Sequence, residues 1–309
     1  MITKQEFKNL FEQKFLKQKK QFALMRAFIF VWVAFFSALV LAGALVYHFK
    51  FDAENEHILL CILISILAFF GVALLPVVSF KDRLLGKIKK VKLDEILDII
   101  YGQDVKYSAS SVFPKELFDK SNFCDKEYNN YDGEDLFVAE VMRETPIGNF
   151  STKLVASDVR AKKIEKVENE TKTKTAFSGA VAAIKFRKPF DCKLNINCAK
   201  NSDLQQLETE SSEFNKLFSS KTNNQIQARL ILSVTMMQTL IDFQKKAKCK
   251  ISLSFSDEFL FVGLGKNIFE FAKKDDKFDF KLVEPIYDDL ALFDTLSNEI
   301  VNNRKIFRI

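Results

Sequence analysis

The chain has 309 residues, of which 48% are hydrophobic and 28% charged, and its formal net charge is +6. The positive charge is concentrated near the start: residues 1–26 carry seven Lys or Arg against two acidic residues, and residues 80–92 carry six against one. Residues 93–309 hold 32 basic and 34 acidic residues, which argues against nucleic acid as a partner of this larger part.

Residues 1–26 are predicted to form a basic amphipathic helix beside a membrane. Its apolar residues recur at near-helical spacing: Phe7, Leu10, Phe11, Phe15 and Phe22. The lysines between them, among them Lys14, Lys17, Lys19 and Lys20, are expected to attract the anionic headgroups of the inner leaflet. In the alternative, this helix is a cytoplasmic extension that packs on the domain or on another subunit.

Two uncharged apolar runs follow, at residues 27–49 and 58–80, and predict a transmembrane hairpin over residues 27–80. About 20 helical residues cross a hydrocarbon core, so each run is long enough. Lys and Arg flank the pair, whereas the connecting loop is acidic, so both ends are expected on the cytoplasmic side. A competing interpretation makes the first run a cleaved signal peptide, because Ala42, Gly43 and Ala44 imitate a cleavage site.

The only two histidines, His48 and His57, stand at the outer ends of the runs, where interfacial placement is favoured over metal ligation. No ionisable residue lies within 27–47 or 58–80, which argues against an ion pathway through one hairpin. A pore assembled from several hairpins is left open as a third functional class.

After the runs, residues 81–104 are predicted as a juxtamembrane helix and residues 105–309 as a cytosolic α+β domain with a mainly antiparallel sheet. The strands are expected at Leu136–Arg143, Phe150–Val159, Ala176–Phe186, Cys192–Cys198, Ile251–Phe255 and Phe259–Leu264. Polar residues Ala161–Thr175 are expected as an exposed hairpin or loop. Gln225–Lys248 is predicted as the main helix and Pro285–Asn302 as the closing one, with a charged connection at Phe271–Phe280 before it.

The sequence contains no recognised catalytic signature, so no catalytic, cofactor-binding or metal site is assigned. The lack of histidine after residue 57 excludes Ser-His-Asp and Cys-His catalysis and His-based zinc sites. Gly263–Ile268 lacks the last glycine of a phosphate loop and is interpreted as a strand end and turn. Glu208, Glu210 and Glu213 are explained by a polar helix start as well as by an acidic site.

Asp132, Glu134 and Asp135 surround a glycine and form a carboxylate cluster that could in principle hold a divalent cation. Since the ligand spacing of an EF-hand is absent, a solvated Asp-Gly turn is the favoured interpretation. The alternative is an enzyme that uses carboxylates alone, with a divalent metal held by these three residues. Cys192 and Cys198 are predicted as buried free thiols rather than half of a metal site, and five scattered cysteines indicate a reducing compartment.

Several motifs occur in an order that resembles one protein family. They are Tyr131–Asp135, Phe177–Ala180 with Phe186–Phe190, Ser212–Phe218, Gln227–Leu232, Met236–Met237, Ile251–Phe255 and Phe269–Glu270. Together they resemble the bacterial membrane-protein family known as domain of unknown function 3137, over a range from the apolar runs to about Glu270. The resemblance implies two N-terminal spans, a cytosolic domain and, as a partner, a membrane protein of the LemA type. It implies no catalytic residue and no cofactor.

These observations predict a multi-pass protein of the bacterial cytoplasmic (inner) membrane with both termini in the cytoplasm. Its domain is expected to act as a membrane-tethered binding or scaffold module, with anionic lipid at the basic flanks and a homo-oligomer left open. The carboxylate-dependent enzyme and the oligomeric pore remain alternatives.

Overall fold

The computed structural model describes residues 1–51, 92–102, 105–124, 127–145, 148–167, 170–199, 203–247, 249–270, 279–303 and 306. The chain divides into two compact units. The first combines Met1–Phe7, Asp94–Glu270 and Val283–Ile309, and the second combines Lys8–Leu93 and Phe271–Leu282. The second apolar run, most of the predicted juxtamembrane helix and most of the charged connection lie outside the described residues.

One nine-stranded sheet organises the first unit, in the order β1-β2-β3-β4-β9-β8-β5-β7-β6. Its strands are β1 Lys106–Ser108, β2 Asn130–Thr145, β3 Gly148–Val167, β4 Glu170–Lys185, β5 Leu194–Ile196, β6 Gln205–Leu207, β7 Ser220–Thr222, β8 Ile251–Ser256 and β9 Phe259–Leu264. Every pairing among them is antiparallel. The predicted α+β class with a mainly antiparallel sheet is therefore confirmed.

The three longest strands, β2, β3 and β4, extend further than their apolar cores suggested. β3 alone has 20 residues, because it continues through the polar segment that follows Val159. Residues 162–167 pair in register with residues 170–175, so the segment predicted as an exposed hairpin or loop is a regular hairpin. Backbone hydrogen bonds extend these strands into polar segments. The pattern of apolar side chains in the sequence does not reveal such bonds.

The solvated Asp-Gly turn predicted at Asp132 is wrong. Asp132 pairs with Arg160 inside the β2–β3 ladder, and the irregularity comes later, as a bulge between Glu134 and Phe137. At this bulge Asp135 has a positive φ of 64° and is only 2% exposed. The sequence Asp-Gly suits a tight turn, but here the glycine is needed because a Cβ at Gly133 would overlap the backbone of Asp158.

The helices are α1 Lys4–Lys14, α2 Leu16–Phe51, α3 92–101, α4 Lys115–Lys120, α5 Ser212–Leu217, α6 Gln225–Ile231, α7 Val234–Ala247 and α8 Glu284–Asn302. The single main helix predicted over Gln225–Lys248 is wrong, since α6 and α7 are separate. Leu232 leaves the helical region with a ψ of 62°, and the hydroxyl of Ser233 accepts a hydrogen bond from the Met236 N–H at 3.1 Å. Ser233 thus caps a new helix, as short hydroxyl side chains favour.

The C-terminal elements agree closely with the predictions. β8 and β9 form the expected hairpin, and α8 spans the expected closing helix with Pro285 in its first turn. Apolar side chains from α4 and its flanks, such as Phe113, Phe118 and Phe123, are buried with residues of β3, β4 and β9 in one cluster. This apolar cluster covers the part of the sheet formed by β3, β4 and β9.

In the part of the chain that the structure describes, no helix has the combination of length and apolar character that a membrane span requires. The predicted transmembrane hairpin therefore stays a prediction.

The predicted amphipathic helix is present as α1 and the start of α2. Phe7, Phe11, Phe15 and Phe22 are buried, and the rings of Phe11 and Phe280 lie 6.4 Å apart. Lys14, Lys17, Lys19 and Lys20 are exposed. Four of the five apolar residues predicted for this face are thus covered by protein and Leu10 is exposed, whereas the lysines face solvent.

Candidate functional site

The N-terminal residues Met1–Phe7 are held within the first unit by α3 and α8. The backbone N–H of Ile2 donates to the carbonyl oxygen of Ile100 at 3.0 Å, and the Tyr287 hydroxyl donates to the Ile2 carbonyl at 2.8 Å. Phe7 is fully buried and stacks on Tyr287, with ring centroids 5.3 Å apart. We call this arrangement of Ile2, Lys4, Phe7, Tyr287 and Asp288 the N-terminal clamp.

Charge reinforces the N-terminal clamp. The Lys4 ammonium lies 2.8 Å from a Glu284 oxygen and 2.9 Å from one oxygen of Asp288, whose other oxygen lies 2.8 Å from Lys246. Burial opposes ionisation of both Lys4 and Asp288. The hydrogen bonds nevertheless raise the pKa of Lys4, and those from Lys246 and Lys4 lower the pKa of Asp288. The carboxylate of Asp288 therefore joins the N-terminal segment, α7 and α8.

The local sequence explains how the segment is presented. Thr3 caps α1, since its hydroxyl accepts from the Glu6 N–H at 3.3 Å while the Thr3 N–H donates to the Glu6 carboxylate at 3.0 Å. This is a capping box, and it fixes the direction in which α1 begins. The Thr-x-x-Glu spacing is readable from the sequence, but the partners of Lys4 and Phe7 on α8 are not.

The next residue of α8, Asp289, lies in a different environment. Its carboxylate is 2.8 Å from the Lys266 ammonium, and its side chain is only 5% exposed. Burial raises the pKa of Asp289 although Lys266 acts in the opposite direction. Two adjacent carboxylates thus have pKa values displaced in opposite directions.

These displacements predict opposite pH dependences for two neighbouring variants. Asp288 stabilises the fold above its ordinary pKa of 3.8, and this contribution is lost as the pH falls through its lower folded value. The contribution of Asp289 is complete below 3.8 and is lost as the pH rises through its higher folded value. Relative to Asp288→Asn the native chain should therefore lose stability on acidification, and relative to Asp289→Asn it should gain stability. Urea unfolding from pH 3 to pH 7 measures both, and slopes of the same sign would contradict the assignment.

The N-terminal clamp lies beside the segment that follows residues 8–93. The chain leaves the first unit after Phe7 and re-enters it at Asp94. Within the first unit, the hydrogen bond from Ile2 to Ile100 joins the segment before residues 8–93 to the segment after them. Because the polar groups of the N-terminal clamp are paired with one another, their role is to hold the N-terminal segment in place within the first unit.

The carboxylates proposed as a cation site are not arranged for one. Asp132 forms an ion pair with Arg160 at 2.7 Å, and the buried carboxylate of Asp135 accepts a hydrogen bond from the Tyr107 hydroxyl. Across the described residues, no three acidic, histidine or cysteine side chains are grouped so that they could hold a metal ion. Asp132 and Asp135 thus make structural contacts beside the β2 bulge, and Glu134 is the last paired residue before it.

The remaining sequence candidates have structural roles. The thiols of Cys192 and Cys198 are buried and outside any disulfide, as predicted, and burial raises their pKa values to about 11 and about 12. Gly263 and Leu264 end β9, as expected for a strand end and turn. Ser211 caps α5 and Glu213 contacts Lys245 at 2.6 Å, so the acidic run before Phe214 is a helix start. The side chain of His48 and all of His57 lie outside the described residues.

The fold and the N-terminal clamp define an α+β protein with a mainly antiparallel sheet whose N-terminal segment is tied to its last helix. Residues 175–300 match the model of a family described as protein of unknown function (DUF3137). This confirms the resemblance over β4 to α8, beyond the predicted end at Glu270, whereas the motif Tyr131–Asp135 lies outside the matched range.

No curated protein matches the chain. Among solved structures, the chain is similar to the crystal structure of the mycobacterial trehalose monomycolate transport factor A, TtfA, with 10% identity and a TM-score of 0.38. The similarity covers 70% of this chain and 95% of that one. A likeness of this size carries no argument about function.

Proposed function

We propose that this is a multi-pass protein of the bacterial inner membrane that presents its α+β domain in the cytoplasm as a tethered binding or scaffold module. The observation that carries the proposal is the apolar surface of α2. Every residue between Ala27 and Gly43 whose burial is described is exposed. They include Phe28, Phe30, Val31, Trp32 and Phe35.

Such a surface is costly in water. Each buried Phe, Val or Leu side chain contributes roughly 1.5–3 kcal/mol when it leaves water, so several exposed aromatic residues on one helix favour an apolar environment. Contiguous exposed apolar surface marks a membrane or protein interaction site. The absence of charge between residues 27 and 49 favours lipid as that environment.

The N-terminal clamp supports a hairpin rather than a single crossing. Because residues 1–7 and 94–100, which flank residues 8–93, belong to the first unit and are hydrogen-bonded to each other, a membrane segment between them has to return to its starting side. The basic residues that flank the apolar runs favour the cytoplasm for that side. Both termini would then be cytoplasmic.

Tethering supplies a mechanism that needs no catalytic residue. A domain confined to a surface meets a partner on the same surface at a raised effective concentration, so a weak contact becomes sufficient. The partner would be another membrane protein, of the LemA type by resemblance, or a second copy of the chain. The exposed lysines 14, 17, 19 and 20 would contribute about 1 kcal/mol each beside anionic headgroups.

The test compares membrane retention of the full chain and two double variants. Phe35→Arg with Ala38→Arg places charge in the middle of the apolar run and should oppose insertion by roughly 5–7 kcal/mol. Leu10→Arg with Leu24→Arg changes two exposed leucines outside the run and is the matched control. The native chain and the control should stay in the membrane pellet after washing with alkaline carbonate, whereas the first variant, which keeps only the second apolar run intact, should be released in larger part.

Protease added to intact spheroplasts tests the orientation. The domain should be resistant until the cells are lysed. Release of the native chain by carbonate would refute the membrane anchor, and digestion of the domain in intact spheroplasts would refute its cytoplasmic location.

A further inference from the structure

The β3–β4 hairpin projects beyond the rest of the sheet. The last β2 residue in the ladder, Asn130, pairs with Lys162, and β9 reaches β4 only as far as Ala180. Residues 163–166 and 171–174 therefore pair only with each other among the described strands. At about 3.3 Å per residue this two-stranded ribbon is roughly 15 Å long.

Strand register assigns the ribbon side chains to two faces, because cross-strand partners share a face. One face, which we call the Lys-Thr face, contains Ile164, Lys166, Thr171 and Thr173 of the ribbon together with Lys162 and Thr175 at its base, where β2 begins. The opposite face, which we call the mixed face, contains Lys163, Glu165, Lys172 and Lys174. All of these residues are exposed or half-buried.

The two faces differ in charge. On the mixed face, Glu165 lies 2.7 Å from Lys163 and is the cross-strand partner of Lys172, so negative charge offsets part of the positive charge. The Lys-Thr face has two lysines, three threonines and no carboxylate among its described residues. Acidic residues are thus segregated away from one side of the ribbon.

Protecting the edge of a sheet against the addition of further strands does not require that carboxylates be confined to one face. Lysines on an exposed ribbon prevent the addition of further strands, but they do so from either face and in the presence of carboxylates. A face that offers only ammonium and hydroxyl donors is suited to phosphate oxygens.

We propose that the Lys-Thr face docks on anionic phospholipid headgroups, with Lys162 and Lys166 as the cationic contacts. The inference rests on the proposed membrane tether, which would hold the ribbon near a bilayer. The face has no aromatic residue or arginine on which bases stack, so lipid phosphate fits it better than nucleic acid. Ile164 is its one apolar residue, which is fewer than a protein interface normally buries at its centre.

The experiment measures acylation of individual lysines in the full chain, reconstituted in phosphatidylcholine nanodiscs with or without phosphatidylglycerol. Lys163 and Lys172 are internal controls, since each set has one half-buried and one exposed lysine. Phosphatidylglycerol should slow the acylation of Lys162 and Lys166 about tenfold and leave the control lysines within twofold. Adding 0.5 M salt should abolish the difference, because contacts between exposed charges are screened.

Equal rates in the two lipids, or equal slowing of all four lysines, would overturn the proposal. If duplex DNA slows the acylation of Lys162 and Lys166 when the nanodiscs contain only phosphatidylcholine, the face binds nucleic acid and the proposal is overturned. If the chain does not enter nanodiscs, the membrane tether fails separately. The ribbon is then tested by flotation of the soluble chain with phosphatidylglycerol vesicles, where K162Q with K166Q should reduce binding about tenfold more than K163Q with K172Q does.

Discussion

Replacing Gly179 with alanine should destabilise the first unit by about 4 kcal/mol or more, which is at the extreme of single substitutions. Gly179 has a φ of +143°, a conformation that side chains rarely adopt. An added Cβ would overlap the carbonyl oxygen of Leu264 and lie 2.9 Å from the Lys266 nitrogen. Both obstacles are backbone atoms at the junction of β4 and β9, so neither can rotate away.

Gly265→Ala is the matched control. A Cβ there would be 3.5 Å from the nearest atoms of Lys250, which is an ordinary contact, so the expected change is within about 1 kcal/mol. Thermal and urea unfolding of the full chain, followed by circular dichroism, compare the two variants. Equal unfolding midpoints for G179A and G265A would contradict the predicted close approach of β4 and β9.

Asp158→Asn should destabilise the first unit by roughly 2–4 kcal/mol. Asp158 is 3% exposed, and its two carboxylate oxygens accept hydrogen bonds from the backbone N–H groups of Ile268 at 3.0 Å and Phe269 at 3.4 Å. An asparagine has one acceptor and one donor group in these places, so one buried N–H would face another donor. Asp158→Asn, which removes only the charge, should therefore lower the free energy of unfolding nearly as much as Asp158→Ala does.

Asp132→Asn is the control for this carboxylate. Asp132 also lies in the strand ladder, but its ion pair with Arg160 is about half exposed, and such pairs contribute roughly 0–1 kcal/mol. Hydrogen exchange supplies a local readout, because the amides of residues 268 and 269 should lose protection in D158N and keep it in D132N. Unchanged protection in D158N would show that Asp158 does not hold this loop.

Several elements were predictable because a single local pattern determines them. β8 and β9 combine alternating or continuous apolar residues with a short turn, and α8 has proline in its first turn and a helical apolar stripe. Elements that depend on backbone contacts were missed. The apolar periodicity of Gln225–Lys248 continues across Ser233 although the chain bends there.

The N-terminal clamp could be predicted only in part. Its capping box at Thr3 and Glu6 is a local signal and is visible in the sequence. The contact between Lys4 and Asp288 joins residues 284 positions apart, and no local pattern specifies such a pairing. The same limit applies to Asp158, whose partners lie 110 and 111 residues further along the chain.

The distance in sequence between Lys4 and Asp288 also determines when the N-terminal clamp closes during synthesis. Bacterial and other ribosomes add about 5–20 residues per second, so α8 emerges roughly 15–60 s after the segment that it binds. During that interval Ile2 can pair with α3, but the partners of Lys4 and Phe7 on α8 have not been synthesised, while α2 has already left the ribosome. Closure of the N-terminal clamp therefore waits for the translation of α8, whose Asp288 lies 284 residues after Lys4.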